Sequence, residues 1–278
     1  MENQIINELL KQVKQNKKYS GVSDEIVLNE INSYLNKNKI TKITKQDIKE
    51  IRSQLHKSYA SFQTKKKNKI SNYLNELRVN INNKKDLSKT TNKLLGVTLS
   101  TKERLNNYEF IYREIFKITG KPDKIIDLGA GFNLFSYPLM HLDRLIYYSY
   151  DINEADIKYL SQYYEIMKSK GLSGKAAILD LRDLGQISKL PLTDIVFLFK
   201  VIDVIDKDNH KPSEELIKLL IKKTKFIVAS FATKTLTRKQ MNFPNRKWFE
   251  LMLERNNLKF QIINTDNEIF YVIKGYLG

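Results

Sequence analysis

The chain of 278 residues contains no cysteine and has only five prolines and one tryptophan. Without cysteine it cannot form a disulfide, bind a metal through thiolates or use a thiol nucleophile. Its histidines, His56, His141 and His210, are isolated from one another in the sequence. We therefore expect no metal site.

Long hydrophobic runs are also missing from the sequence. A membrane-spanning helix needs about 20 apolar residues, and every apolar segment of the sequence is much shorter than that. The first residues, MENQIINELLKQ, have the spacing of an amphipathic helix and lack the continuous apolar core of a signal peptide. We therefore expect a cytoplasmic protein.

Acidic residues are too few to balance the basic ones. The chain has 48 Lys and Arg against 31 Asp and Glu, a net charge of +17 and a pI near 9.6. Residues 1–104 alone hold 22 basic and 10 acidic residues. This excess indicates a polyanionic partner, either nucleic acid or an anionic membrane surface. The alternative is a lysine-rich composition with a merely solvated surface.

The hydrophobic pattern changes near residue 105. Apolar residues recur at helical spacing before it, whereas from 106 to 278 apolar strands alternate with helical segments and end in a hairpin. The pattern predicts an α/β fold: a Rossmann-like, seven-stranded, mostly parallel sheet (106–278) after a basic, all-helical domain (1–105). The polar stretch 80–93 is predicted to be a loop.

A glycine-containing turn follows the first predicted strand, Lys124–Leu128. Gly129 and Gly131 let the backbone turn tightly and come close to a ligand. Leu134 occupies the position where a dinucleotide fingerprint has its third glycine. Asp151 follows Gly131 by 20 residues, at the end of the second strand, where a carboxylate can accept hydrogen bonds from ribose hydroxyls.

Acidic residues end three successive strands. Asp127, Asp151 and Asp180 have the arrangement found in S-adenosylmethionine (SAM) methyltransferases, where the first acid supports the loop or the methionine amine. Asp180 and Leu181 are placed to contact adenine. The alternatives are that these acids only cap loops, or that the chain is an NAD(P)-dependent oxidoreductase. Leu134, the absence of cysteine and the excess positive charge disfavour the oxidoreductase.

The residues that the chain lacks narrow the type of methyl transfer. Methylation of a pyrimidine at C5 needs a cysteine nucleophile, and methylation of an exocyclic amine commonly uses a Pro-Pro loop after the fourth strand. The sequence has neither device. A ring nitrogen with a free lone pair, such as guanine N7, requires only alignment with the methyl group.

Several segments resemble one family over nearly the whole chain. In order, they are KQNKKYSGVSDEIV, HKSYASF, LSTKERLNNYEFIYREIF, IIDLGAGFNLFSYPLM, IYYSYDINEADIKYLS, DIVFLFKVIDVID, FIVASFATKTL and RKWFE. They are similar to segments of the Arm/Rmt (FmrO-type) aminoglycoside-resistance methyltransferases. The resemblance implies a SAM-dependent enzyme, a divergent member of the family, that methylates guanine N7 in the decoding region of 16S rRNA within the 30S subunit. It further implies a monomer that uses neither a metal nor a membrane.

The resemblance also implies roles for individual residues. Arg104 is expected to bind the SAM carboxylate, and Ser230 and Phe231 to position the target base without a general base. Lys200 is expected to face the cofactor or the target. The remaining residues with an implied cofactor role are Asp127, Gly129, Gly131, Asp151, Ile152, Asp180 and Leu181.

Basic residues in two segments are the candidate RNA contacts. They are Lys65, Lys66 and Lys67 in the first, and Lys234, Arg238, Lys239, Arg246 and Lys247 in the second. The second segment departs from the family pattern, since Ala232 stands where the family has proline. The target therefore stays open to another rRNA or tRNA base, and a catalytically silent RNA-binding module is a further alternative.

Overall fold

Three N-terminal helices form a small hydrophobic core of their own. The computed structural model describes residues 2–16, 18–38, 42–58, 65–206, 209–234 and 245–278. The three helices are α1 (Glu2–Lys14), α2 (Asp24–Lys37) and α3 (Lys45–Ser58). Their buried apolar residues recur at helical spacing and include Leu9, Val13, Ile26, Val27, Ile31, Ile51 and Leu55.

Four further helices lead to the sheet. A short 3₁₀ helix, Lys65–Lys69, precedes them. They are α4 (Ile70–Asn82), α5 (Ser88–Leu95), α6 (Leu99–Arg104) and α7 (Tyr108–Thr119).

The prediction of a loop over residues 80–93 holds only for residues 83–87, because residues 80–82 belong to α4 and residues 88–93 to α5. Its polar side chains find partners between the two helices. Thr90 is buried, donates to Glu76 (2.9 Å) and accepts from Asn80 (3.0 Å). Lys93 Nζ lies 2.7 Å from Glu76. Most polar side chains of this stretch are exposed, whereas the buried Thr90 and the half-buried Lys93 are satisfied within the protein.

A seven-stranded sheet forms the centre of residues 106–278, as the pattern predicted. Its spatial order is β3-β2-β1-β4-β5-β7-β6, with β1 to β5 parallel and β7 antiparallel to both of its neighbours. The strands are β1 (Lys124–Leu128), β2 (Leu145–Asp151), β3 (Leu172–Ile178), β4 (Thr193–Phe199), β5 (Thr224–Ala232), β6 (Phe260–Asn264) and β7 (Glu268–Lys274). The strand order reverses between β1 and β4, and ligands of open α/β sheets bind outside the carboxyl ends of strands at such a point.

Helices cover both faces of this sheet. The segment after β1 is a 3₁₀ helix, Asn133–Met140, which contains Pro138 and so lacks one backbone donor of an α-helix. The α-helices are α8 (Glu154–Met167), α9 (Leu184–Ile187), α10 (Ile202–Ile205), α11 (Lys211–Leu220) and α12 (Lys247–Arg255). Across the parts of the chain that the structure describes, no helix has both the length and the apolarity to cross a bilayer.

The hydrophobic clusters divide the chain earlier than the predicted boundary at 105. Ile70, Leu74 and Leu77 of α4 and Leu94 and Leu95 of α5 belong to the same cluster as the residues on one face of the sheet. The separate N-terminal cluster ends with Leu55. The described packing thus places α4 and α5 with the sheet, because their apolar faces belong to its core.

The N-terminal helices contact the loop that follows β2. Val22 forms an isolated antiparallel bridge with Asn153. The Ser23 N–H donates to the Ile152 carbonyl (3.3 Å), and the Glu154 N–H donates to the Gly21 carbonyl (3.1 Å). The Ile152 side chain also packs against the N-terminal core. Backbone and apolar contacts therefore seat the N-terminal helices beside the carboxyl end of β2.

Candidate active site

A pocket opens at the carboxyl ends of β1, β2, β3 and β4. Its volume is about 1070 Å³, part of which is open solvent. Its lining residues are Lys67, Thr98, Ser100, Gly129, Gly131, Asp151, Ile152, Asp156, Leu179, Asp180, Leu181, Arg182, Phe199, Lys200, Val201, Val204 and Ile205. The structure thus brings together seven of the predicted cofactor residues: Gly129, Gly131, Asp151, Ile152, Asp180, Leu181 and Lys200.

The glycine turn after β1 needs its glycines for two reasons. Gly129 and Gly131 have positive φ angles of 71° and 48°, which residues with a side chain rarely adopt. A Cβ on Gly129 would also lie 2.4 Å from Cγ1 of Val201. The N–H groups of Gly129 and Ala130 both donate to the Tyr150 carbonyl at 2.9 Å, which fixes the turn against β2.

Asp151 joins this turn to the loop after β2. Its Oδ2 accepts the Gly131 N–H (2.8 Å), and its Oδ1 accepts the Asn153 N–H (3.1 Å). The side chain is half-buried and lines the pocket. Two backbone donors therefore hold a carboxylate on the pocket wall, as its position at the end of the strand predicted.

Asp127 lies behind the turn with one carboxylate oxygen unpartnered. Its Oδ2 accepts from the Tyr147 hydroxyl (2.5 Å) and from Asn133 Nδ2 (3.0 Å), whereas its buried Oδ1 has no hydrogen-bond partner. Burial raises the pKa of Asp127 to about 6, although the hydrogen bonds from Tyr147 and Asn133 lower it. A buried acceptor without a donor suits a cationic group that arrives with a ligand.

Residues 180–182 form another part of the pocket wall. Both Asp180 oxygens accept from Arg182, with 2.7 Å from Oδ2 to Nη2 and 3.0 Å from Oδ1 to Nε. Arg182 Nη1 in turn donates to Oε2 of Glu30 in α2 (2.9 Å). Leu181 supplies an apolar surface. The polar groups of Asp180 are thus already engaged by Arg182, which the sequence analysis did not identify.

Lys67, one of the predicted RNA contacts, lines the pocket. Its Nζ lies 2.5 and 2.8 Å from the two oxygens of Asp156 and 5.1 Å from the centre of the Phe132 ring. Burial raises the pKa of Asp156 to about 6, and Lys67 opposes this rise. The ion pair engages the ammonium group, so the predicted phosphate contact of Lys67 is not supported. Lys65 and Lys66 lie in the same 3₁₀ helix as Lys67, but their side chains fall outside the described part of the structure.

A buried charge cluster lies at the edge of the pocket around Glu268, the first residue of β7. Arg104 donates to it through Nε (2.8 Å to Oε2) and Nη2 (2.9 Å to Oε1). The Ser230 hydroxyl donates to Oε1 (2.5 Å). Lys200 Nζ lies 3.5 Å from Oε2 and donates to Glu103 at 2.8 Å. Burial would raise the pKa of Glu268, but Arg104 and Lys200 outweigh it and hold that pKa below its usual value.

Arg104 therefore stands behind the pocket. Its side chain is 3% exposed, it is not among the residues that line the pocket, and its guanidinium also lies 4.9 Å from the Phe199 ring. The expected contact with the SAM carboxylate stays a prediction. Lys200 does line the pocket, and its φ of 59° is unusual for a residue with a side chain.

The side chains of Ser230 and Phe231 lie on opposite faces of β5. Ser230 is buried against Glu268 and accepts the Lys200 N–H (3.1 Å). Phe231 packs edge-on against Trp248, Phe249 and Tyr271 in the core on the other side. Successive side chains of a strand point to opposite faces. This placement does not support the predicted contact of Phe231 with a target base.

The second basic segment is only partly described. Arg238 and Lys239 lie outside the described residues. Arg246 contacts Asp203 (3.0 Å) and the Ala232 carbonyl (3.3 Å), and lies 5.3 Å from the Phe231 ring. Lys234 is half-buried and Lys247 is exposed. Of these residues, Lys247 is the one whose described exposure fits the predicted phosphate contact most directly.

The profile of one protein family covers nearly all of these elements. The family described as "Ribosomal RNA methyltransferase (FmrO)" matches residues 15–272, from the end of α1 to β7. The chain belongs to this family. The FmrO match spans both the N-terminal helices and the sheet, so it covers every residue that lines the pocket.

Individual relatives agree with the FmrO assignment. A 16S rRNA (guanine(1405)-N(7))-methyltransferase of Micromonospora rosea is 26% identical over 64% of this chain and 64% of its own length. One of Proteus mirabilis is 24% identical over 82% of this chain and 84% of its own length. The match to the Micromonospora protein thus spans less than two thirds of that relative.

Solved structures share the fold. The 16S rRNA methyltransferase RmtF, in complex with S-adenosyl-L-homocysteine, superposes with a TM-score of 0.76 at 20% identity and covers 97% of this chain and 98% of its own. The 16S rRNA methylase RmtB gives a TM-score of 0.70 at 18% identity, with coverage of 97% and 98%. The chain therefore shares its fold with these two structures over nearly its whole length.

Sequence reasoning missed the acids that hold the basic residues of the site. Glu268, Glu103, Glu30 and Asp156 become visible only through their partners, Arg104, Lys200, Arg182 and Lys67. One signal was present for Glu268. A single acid begins the otherwise apolar strand EIFYVIK, and a buried charge of this kind needs a partner.

Proposed function

We propose that this chain transfers a methyl group from SAM to N7 of a guanine in the decoding region of 16S rRNA, at the nucleotide equivalent to guanine 1405 named for its relatives. The observation that carries the proposal is the FmrO family match over residues 15–272. The 30S subunit is the proposed substrate, the cytoplasm the proposed location, and a metal-free monomer the proposed form.

The pocket residues fit SAM. Asp151 offers carboxylate oxygens on the wall, the turn at Gly129 and Gly131 lets a ligand approach the backbone, and Leu181 gives an apolar surface for a base. Asp127 lies behind the glycine turn and is not among the residues that line the pocket, but its unpartnered Oδ1 suits an ammonium group such as that of methionine. When bound, SAM supplies an electrophilic methyl group on a sulfonium.

The residues around the pocket position the groups and exclude water. Guanine N7 carries a lone pair and no proton at neutral pH, so no side chain has to act as a general base. Phe199 and Val201 line the pocket with apolar surface. Lys200 supplies a positive charge whose position Glu103 and Glu268 restrain. Alignment of the two reactants within such a site can supply much of the rate enhancement.

The N-terminal helices are the proposed RNA-docking surface. Residues 1–104 carry most of the excess positive charge, and a phosphate backbone attracts such a surface without regard to sequence. Because RNA binding then releases counterions, affinity for the 30S subunit should fall steeply with salt, with a slope of roughly 0.7–0.9 per phosphate contact.

Mapping of the methylated nucleotide tests the proposal. Unmodified 30S subunits are incubated with the full chain and methyl-labelled SAM, treated with borohydride and aniline to cleave at N7-methylguanine, and analysed by primer extension. We expect one strong stop at the predicted guanine and none with Asp151→Ala. Labelled rRNA that is not cleaved would mean that another atom is methylated. A stop at another position would mean that another base is the target. rRNA that takes up no label from SAM would overturn the proposal. Growth of an expressing bacterium on aminoglycosides tests the resistance that the resemblance implies.

A further inference from the structure

Arg182 connects the pocket wall to the N-terminal helices. On one side its guanidinium and backbone N–H engage both oxygens of Asp180, at distances from 2.7 to 3.1 Å. On the other side its Nη1 donates to Glu30 Oε2 at 2.9 Å. The Glu30 side chain is 5% exposed although it is charged, and Arg182 is 36% exposed. The contact thus spans 152 residues of sequence.

The wall at residues 180–182 packs on the sheet through Leu181 but has no strand beside it on one flank. It follows β3, which is the edge strand and pairs only with β2. Within the wall, the Asp183 N–H donates to the Asp180 carbonyl at 2.9 Å. A segment beyond an edge strand has one flank without a neighbouring strand. Helix α2 supplies that flank through Glu30.

The same N-terminal segment also supports the neighbouring loop. Val22 pairs with Asn153, and the Ser23 N–H donates to the Ile152 carbonyl at 3.3 Å. Ile152 both lines the pocket and packs on the N-terminal core. Residues 21–30 therefore contact two walls of the pocket, one through backbone and apolar contacts and the other through an ion pair.

We propose that Glu30 is a positioning residue for cofactor binding: through Arg182 it fixes the 180–182 wall and couples the seating of the RNA-docking helices to the affinity for SAM. The inference rests on the proposed function. It assigns to the N-terminal domain a second role, in which this domain completes the cofactor pocket from α2.

The coupling follows from the geometry of the ion pair. Without the Glu30 carboxylate, Arg182 retains only Asp180, a partner two residues away that moves with it. The wall then loses its tie to α2. Since coupling between two sites is reciprocal, a cofactor that needs this wall in place must also stabilise the seating of α2. Movement of the N-terminal helices when RNA binds would in the same way alter the affinity for the cofactor.

The test uses Glu30→Gln in the full-length protein, with S-adenosyl-L-homocysteine as the probe in titration calorimetry. Glu25→Gln is the matched control, because Glu25 lies on the same helix, is exposed, and loses the same charge. We expect Glu30→Gln to raise the dissociation constant roughly tenfold, within the span of about 5- to 150-fold that couplings between sites reach, and Glu25→Gln to leave it unchanged. Equal affinities in the two variants would overturn the proposal.

A double-variant cycle separates positioning from general stability. If Glu30 acts through Arg182, the double variant Glu30→Gln/Arg182→Gln binds no more weakly than Arg182→Gln alone. Additive losses would mean that Glu30 acts by another route. Titrations run well below each variant's Tm remove contributions from unfolded protein.

Hydrogen exchange gives a readout that does not depend on catalysis. In the wild type, the probe should slow amide exchange in residues 24–37 of α2, and Glu30→Gln should abolish this protection. Unchanged exchange in the wild type on saturation with the probe would contradict the coupling. Failure of the wild type to bind the probe at all would instead refute the proposed function, so the two failures are distinguishable.

Discussion

Arg104 and Glu268 form a buried bidentate ion pair between the end of α6 and the start of β7. Nε and Nη2 of the arginine donate to the two carboxylate oxygens at 2.8 and 2.9 Å, across a sequence separation of 164 residues. Their side chains are 3% and 0% exposed. Because Ser230 and Lys200 meet the same carboxylate, this pair connects the helices before the sheet to the edge of the pocket.

The first prediction concerns removal of the shared negative charge. Glu268→Gln should lower the free energy of unfolding by about 3–5 kcal/mol, because it leaves Arg104 buried without its counter-ion. Urea unfolding at pH 7, followed by circular dichroism, measures the change. Glu165→Gln is the control, since Glu165 is exposed on α8, and it should change stability by no more than about 0.5 kcal/mol. A loss below about 1 kcal/mol at Glu268 would show that the pair is not important for stability.

The second prediction tests whether Arg104 binds the cofactor or only Glu268. Lysine cannot reproduce the two parallel hydrogen bonds of a guanidinium. If Arg104 binds the carboxylate of the cofactor, Arg104→Lys should lower the affinity for S-adenosyl-L-homocysteine by about tenfold or more. It should not change the affinity for 5′-methylthioadenosine, which lacks that carboxylate.

The control for Arg104→Lys is Arg78→Lys, at an exposed position of α4. It should bind both compounds as the wild type does. If Arg104→Lys lowers the affinity for both compounds equally, Arg104 has a structural role through Glu268 and does not belong to the cofactor site.

The third prediction is a pH dependence that arises from Asp127. Its pKa in the free protein is raised to about 6, so the carboxyl is largely protonated at pH 5 and ionised at pH 8. A bound ammonium group favours the ionised form and lowers that pKa. Affinity for S-adenosyl-L-homocysteine should therefore rise with pH up to about 6 and level off above it, with proton release on binding near pH 5.5 and almost none at pH 8.

Calorimetry in buffers of different ionisation enthalpy measures this proton release. Asp156 also has its pKa raised to about 6 and lines the pocket, so Asp156→Asn is the necessary comparison. Proton release that persists in Asp156→Asn and disappears in Asp127→Asn assigns it to Asp127. The reverse pattern would assign it to Asp156 and remove the support for an ammonium contact at Asp127.

The fourth prediction concerns the domain boundary. Removal of residues 1–64 should leave a folded protein, because the cluster of α1 to α3 is separate from that of the sheet. Removal of residues 1–100 should not, since it strips the buried side chains of Ile70, Leu74, Leu77, Leu94 and Leu95 from the main cluster, each worth about 1.5–3 kcal/mol.

Thermal unfolding of the two truncated proteins distinguishes these outcomes. A cooperative transition for the shorter deletion and none for the longer one is expected. A cooperative transition of the longer deletion would restore the boundary near residue 105. The shorter deletion should also bind 30S subunits more weakly and with a flatter salt dependence.

The part of the site that could be predicted from sequence is the part that local backbone chemistry determines. Gly129 and Gly131 indicate a turn because positive φ angles favour glycine. Asp151 stands at the end of an apolar strand, and parallel strands place their carboxyl ends at one edge of a sheet. The strand and helix pattern predicted the sheet for the same reason, since its period follows from residues close in sequence.

The tertiary structure alone decided which charges meet and which faces are covered. Nothing near Arg104 in the sequence indicates Glu268, and nothing near Arg182 indicates Glu30. The side of β5 on which Phe231 packs depends on helix α12 and strand β7, and the burial of Thr90 depends on Glu76. The sequence by itself determined the glycine turn, the acids at the strand ends and the basic N-terminal third. Only folding determined the ion pairs that join them, because a buried charge is stabilised by whichever partner the packing brings within hydrogen-bonding distance.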